Sequence, residues 1–319
     1  MSRWGQRPRA AATPPAHGER SQFSGLWLAV LLITAALIVV SILDTPTREA
    51  LLETFRPSSS TPAPSPSASR LEPLGEFATF EQPPLPDWLP ETTIEELEPA
   101  TSFPEELTQH PLFKAEYPVA DCPDIQTFDD HEQFRHYTAT LADCMLQAWR
   151  PHFATLGLEL EPVQVIAFTG QISTPCGMES DWYQVFYCPE NKAIYLSSKS
   201  FAHVSQFPTD AATTTIHETF HHIQHQSGIS PLTDRLPRND GEITRRKELQ
   251  TICSESRQAL TLNIGFTEAD YEHHILPEGR TDSPSHGSND SYSYWSNRGF
   301  HVTTMQGCNT WIVPADMVD

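Results

Sequence analysis

The chain has 319 residues, with 20 Lys and Arg against 41 Asp and Glu, for a formal net charge of −21. That balance excludes a nucleic-acid partner, whose phosphates call for a basic footprint. The 28 prolines imply that part of the chain is not packed core, and no fixed-period repeat points to a solenoid.

Residues 1–24 form a basic tail: Arg3, Arg7, Arg9 and Arg20 face only Glu19. Residues 25–43 (GLWLAVLLITAALIVVSIL) then run for 19 positions without a charge. At about 1.5 Å rise per residue this length spans a hydrocarbon core of about 30 Å. A cleaved signal peptide fits less well, because no small-x-small site follows and the run starts late. Basic residues stay inside, so the expectation is a single-pass anchor in the cell membrane, with a cytoplasmic N-terminus and everything beyond residue 43 extracytoplasmic. The lipid bilayer is thus one expected partner. Residues 44–115 read as a linker or stalk. Positions 57–70 (PSSSTPAPSPSASR) are a Pro/Ser/Ala spacer. Positions 71–115 also hold Trp88, Leu89, Ile94, Leu97 and Phe103, so either a stalk or a wrap against the next domain stays open. Residues 116–319 read as one globular domain of ordinary size. Residues 71–319 carry 13 Lys and Arg against 37 Asp and Glu, an acidity that keeps an outer domain soluble.

Within that domain, residues 134–149 read as a core helix. Residues 163–169 (VQVIAFT) and 193–197 (AIYLS) read as strands of a small sheet, with Trp182, Tyr183 and Phe186 as packing or pocket residues. All six cysteines lie beyond the anchor. An even count there predicts three disulfides, expected as Cys122–Cys144, Cys176–Cys188 and Cys253–Cys308 among the pairings open to six cysteines. No CxxC pair supports cysteine-bound zinc.

The segment 211–228 (AATTTIHETFHHIQHQSG) predicts a helix stopped by Gly228, with Pro231 soon after. Inside it His217 and His221 stand at i and i+4, on one face, where two imidazoles can converge on one ion. Glu218, rotated ~100° from His217, can reach a metal-bound water rather than the metal. Zinc is the expected ion, since imidazole and carboxylate donors with one open position suit it. His222 and His225 read as supporting or surface residues, His225 having drifted ~80° around the helix from His217. A third ligand is needed. Residues 241–260 (GEITRRKELQTICSESRQAL) predict a second helix that offers Glu248, with Glu242 and Glu255 as competing choices.

These residues, taken in order, resemble the neutral zinc metallopeptidases of bacteria, single-anchor proteins with an HExxHH helix. The resemblance covers residues 120–319. It rests on Cys176-Gly177, on 186–197 (FYCPENKAIYLS), 217–224 (HETFHHIQ) and 245–253 (RRKELQTIC), and on 286–288 (HGS), 295–300 (WSNRGF) and 308–311 (CNTW). It implies a zincin-like α+β fold: an HExxH helix, a second ligand-bearing helix and a small sheet, preceded by one transmembrane helix and a Pro-rich linker. It also implies His217, His221 and Glu248 as zinc ligands and Glu218 as catalytic base. Two departures stand out. The family reads ELQAD where this chain has Thr251 and Ile252, and a Gln-Arg pair where it has Ser291 and Tyr292.

The expected activity is hydrolysis of peptide or protein substrates by a zinc-activated water, with Glu218 moving its proton. His286 is read as the second catalytic group, an oxyanion donor, with Tyr292 or Tyr294 behind it. An edge strand is expected to hold substrate extended. One alternative is a catalytically weak or inactive zincin-like surface domain that binds a protein or cell-wall partner and keeps zinc for structure. Another is an adhesin-like exterior domain without metal, which leaves the motif order unexplained.

Overall fold

After a one-turn helix, α1 (Glu105–Thr108), comes the longest helix among the described residues, α2 (His131–Thr155). Asp130 caps α2 by accepting the Gln133 N–H at 2.8 Å. Phe134, Tyr137, Leu141, Met145 and Trp149 recur at helical spacing and are all buried. The computed structural model describes residues 71–180, 185–237, 241–275 and 280–319. The expected membrane span, the tail before it and the spacer after it lie outside these, as do Trp182 and Tyr183. Among the described residues no helix is long and apolar enough to cross a membrane.

A three-stranded sheet follows in the order β1 (Gln164–Phe168), β5 (Ala193–Ser197), β4 (Val185–Cys188). β5 runs parallel to β1 and antiparallel to β4. All five of its residues are buried, which is why AIYLS reads as a near-continuous apolar run. Between β1 and β4 lies a hairpin of β2 (Ile172–Thr174) and β3 (Gly177–Glu179). The Cys176–Cys188 disulfide ties it to the sheet. The other two disulfides, Cys122–Cys144 and Cys253–Cys308, complete the pairing expected from the sequence. Phe186 packs flat on Tyr195, ring centroids 5.0 Å apart, and is a packing residue.

The rest is helical: α3 (Ser198–Val204), α4 (Pro208–Gln226), α5 (Ile229–Thr233), α6 (Glu242–Thr261), α7 (Glu268–Ile275) and α8 (Asn289–His301). α4 starts three residues before the expected 211, with Pro208 in its first turn, where a missing N–H costs nothing. Beyond its end Gly228 takes φ 94°, the left-handed conformation expected of a helix stop. α4 packs between α2 and α6, and α6 packs on α8. Mixed helices and a small sheet make the domain α+β, as expected.

Residues 71–115 do not project as a stalk. Leu71, Phe77, Ile94, Leu97 and Phe103 pack on the main core, and Leu89 is buried with Tyr271 and Phe300. Main-chain bonds pin the segment: Leu74 N–H donates to Thr155 O and Ala100 N–H to Ile312 O, both at 2.7 Å. Thr101 Oγ1 donates to Trp311 O at 2.6 Å. The linker expected across 44–115 therefore gives way, from residue 71 on, to a strap. Its scattered apolar side chains each find a site on the helices, which offsets the ordering entropy of a Pro-rich chain.

Gly299 explains part of the WSNRGF motif. A Cβ at this position would sit 2.0 Å from Cys253 O and 2.8 Å from Ser256 Cβ, so α8 can approach α6 this closely only without a side chain there. Gly299→Ala is expected to cost about 1–3 kcal/mol through overpacking. Urea unfolding measures it, and an unchanged midpoint would show that the two helices part freely.

Candidate metal centre

α4 carries two stripes of side chains one position apart. His217, His221 and Gln224 follow i, i+4, i+7 on the face toward α6. Glu218, His222 and His225 repeat that spacing on the face toward β4.

The first stripe meets Glu248 of α6. His217 Nε2 lies 3.2 Å and His221 Nε2 2.9 Å from Glu248 Oε2, and the two nitrogens are 3.1 Å apart. Their tautomers follow from the outer ring nitrogens. His217 Nδ1 is 3.0 Å from Glu255 Oε2, an acceptor-only carboxylate, so Nδ1 carries the proton and Nε2 a bare lone pair. Gln224 Nε2 donates to Lys247 O at 3.1 Å and Gln250 Oε1 at 2.8 Å. Its Oε1 is thereby turned to accept His221 Nδ1–H at 2.9 Å, which bares His221 Nε2 as well.

Three lone pairs then face one another, and no hydrogen bond among them is possible without an added positive charge. Tetrahedral ligands about 2.0–2.1 Å from zinc sit about 3.3 Å apart, close to the spacing seen. These are the three residues whose donor atoms fall within 4.8 Å of one another, so the set fits a metal ion. The same attraction appears in proton affinities. Burial disfavours the His217 imidazolium, yet Glu248 and Glu255 hold its pKa well above the ordinary histidine value. Burial also opposes ionisation of Glu248, yet His221 and His217 hold its carboxyl well below the ordinary carboxylate range.

Glu218 is buried beside this trio, and Tyr187 N–H of β4 donates to its Oε2 at 2.8 Å. Burial raises its pKa against the pull of His217 and His221. His286 arrives from the loop before α8. Its Nε2 lies 3.5 Å from Glu248 Oε2, and its ring stacks on His217 with centroids 5.9 Å apart. All five residues singled out from the sequence therefore come together. Glu255, a competing ligand choice, instead grips the outer nitrogen of His217. Glu242 pairs with Arg246 at 2.8 Å and takes no part. Thr251 Oγ1 sits 3.4 Å from His221 Nδ1, and Ile252 faces the cleft.

A cleft of about 290 Å³ opens beside the trio, lined by His217, Glu218, Glu255, His286, Tyr292 and the first turns of α4. None of its lining residues comes from 71–115, so the strap does not cover it. Tyr292 lines the cleft, whereas Tyr294 is 40% exposed and lies outside it. At its far end Asp210 accepts from His203 Nε2 at 2.6 Å and His273 Nε2 at 2.8 Å, a wall the sequence did not announce. Gln224 and Tyr187 were also missed. Gln224 had a signal, standing i+3 from His221. Tyr187 lies in the motif 186–197, but its role depends on the pairing of a strand with a helix face, which is tertiary.

Carboxylates that orient metal-bound imidazoles set affinity. Glu255→Gln is expected to weaken zinc binding about 10–100-fold while the fold persists. Competition with a chromogenic chelator measures this. Unaltered affinity would mean that His217 holds its tautomer without Glu255.

Among curated proteins, "Uncharacterized protein YpfJ" of Escherichia coli K12 is 24% identical over 209 residues, covering 57% of this chain and 73% of its own. The protein of the same name from Escherichia coli O6:H1 matches to the same extent. No solved structure matches. Residues 115–256, which hold His217, Glu218, His221 and Glu248, match the model of the family described as "Putative neutral zinc metallopeptidase". The resemblance drawn from the motifs is thus a match, over that span, to the neutral zinc metallopeptidase family.

Proposed function

We propose that this chain is a zinc-dependent metallopeptidase that hydrolyses peptide bonds outside the cytoplasmic membrane. The observation that carries the reading is the trio of bare donor atoms on His217, His221 and Glu248, with a buried carboxylate, Glu218, directly beside it. Two imidazoles and one carboxylate leave a coordination position for solvent, as a catalytic zinc site requires. Zinc held there supplies a Lewis acid and lowers the pKa of its water toward ~7.

The chain's own groups do the rest. Glu218 takes the proton of the attacking water and returns it to the leaving amine. His286 stands where it can donate to the oxyanion that develops on the scissile carbonyl, and Tyr292 lines the same cleft. β4 is the sheet edge on this side. Tyr187 turns its N–H away from β5 toward Glu218, so Val185, of the same parity, turns its main-chain groups outward too. That edge can hold an extended substrate by strand addition. An active helix pair beside such an edge is the zincin-like arrangement. Three disulfides accord with an oxidising compartment, and the span 25–43 would tether the domain there.

The competing reading, a surface domain that keeps zinc only for structure, draws on Thr251 and Ile252 and on Ser291 and Tyr292. The outer nitrogens of both histidines nevertheless have their partners in Glu255 and Gln224. Chelator-sensitive cleavage of a peptide library by the purified chain separates the two. Glu218→Gln is expected to retain zinc and to lose about 10²–10⁴-fold in kcat. His286→Ala is expected to lose about 10²–10³-fold. Loss of zinc in the Glu218 variant, or undiminished cleavage, would end the assignment of Glu218 as base.

A further inference from the structure

We infer that Tyr187, His222 and His225 act as a clamp that sets the position of the Glu218 carboxylate, so that the histidines beyond the HExxH core serve the base and not the ion. The inference rests on the reading of Glu218 as general base.

Glu218, His222 and His225 share one stripe of α4, and all three reach a single residue of the neighbouring edge strand. Tyr187 N–H donates to Glu218 Oε2 at 2.8 Å. The Tyr187 phenol oxygen lies 2.9 Å from His222 Nδ1 and 3.0 Å from His225 Nδ1. His222 Nε2 lies 2.8 Å from Glu161 O, in the segment that leads into β1. A carbonyl only accepts, so His222 Nε2 carries its proton and its Nδ1 is left to accept the Tyr187 O–H. The phenol oxygen in turn accepts from His225 Nδ1–H. Every donor and acceptor in the chain Glu161–His222–Tyr187–His225 is used once and in one direction.

The mechanical consequence follows from the sheet order. Among the described residues β4 pairs with β5 on one side only. Toward α4 it has no ladder, so its register against the helix depends on side chains. The phenol grips the helix at two rings a turn apart, and its ring meets His222 edge to face at 5.4 Å. That grip places the Tyr187 N–H over Glu218. Without it the strand can slide along the helix, and the carboxylate loses the donor that holds Oε2. A hydrogen bond to a charged group is among the stronger ones a protein makes, enough to decide between rotamers. The metal-facing stripe of His217, His221 and Gln224 shares none of these bonds. Tyr187, His222 and His225 are therefore positioning residues, separable from zinc binding.

The test is Tyr187→Phe in the detergent-solubilised full chain, which keeps the ring and the backbone N–H but removes the phenol oxygen. Hydrogen exchange of the position-187 amide, read at residue level by mass spectrometry, should speed up about 10-fold or more. Zinc content should be unchanged. On a peptide that the wild type cleaves, kcat should fall about 10-fold or more with KM within about twofold, as expected when an interaction used only in the transition state is lost. His225→Ala, at a partly exposed site, should shift both readouts in the same direction. His225→Asn, whose amide can still donate, should restore them. A lowered melting temperature with unchanged exchange at 187 and unchanged kcat would reduce the phenol to packing and overturn the proposal. Loss of zinc from Tyr187→Phe would overturn it too. If the chain cleaves no peptide, the peptidase reading fails, and the exchange rate at 187 still decides for or against the clamp.

Discussion

Two imidazole nitrogens and a carboxylate oxygen, crowded within 3.2 Å of one another, are the constraint around which this domain is arranged. Such a cluster is unfavourable until a cation sits among its members, and its geometry survives only if each ring is prevented from turning. The protein prevents it from outside the cluster, with Glu255 behind His217 and Gln224 behind His221. Both are buried, and both have further partners that fix their own direction. The site is thus two layers deep, and its second layer accounts for why α4 and α6 must lie side by side.

That pairing is enforced well away from the cluster of imidazoles and carboxylates. Gly299 lets α8 press against α6, and the Cys253–Cys308 disulfide holds α6 to the turn after α8. Arg246, 1% exposed, reaches from α6 to the carbonyls of Thr310 and Val313. The C-terminal residues therefore act as a brace for the ligand helix. The motifs WSNRGF and CNTW, which contribute nothing to the metal trio, have their physical explanation in this brace.

Much of the centre could be read from spacing, because i and i+4 on a helix converge whatever surrounds them. His217, His221, Glu218 and both helices fall in this class. The choice among Glu242, Glu248 and Glu255 could not be made from the helix alone. Glu248 and Glu255 stand two turns apart on one face, and only the docked position of α4 separates the carboxylate that meets both imidazoles from the one that sits behind His217. His286 was nominated from its motif, but its arrival depends on how a Ser- and Gly-rich loop folds back over α4. α8 went unread because its buried positions are Ser291, Ser296, Arg298 and Gly299 as well as Trp295 and Phe300, a mixture with no apolar stripe. The strands β2, β3 and β4 are three or four residues long, too short for a period to show.

The choice between stalk and wrap for residues 71–115 stayed open for a related reason: Pro-rich composition reports how little a segment can fold alone, not what it can do when a surface is already waiting. Its anchoring points include the carbonyls of Trp311 and Ile312, at the opposite end of the domain's sequence. First and last stretches of the unit are therefore held together by hydrogen bonds to main-chain carbonyls, like the two ends of a belt. A recombinant fragment begun at residue 116 would strip the cover from Trp311 and Phe300 and slacken the very buckle that keeps α6 in place; the natural cut is near residue 70.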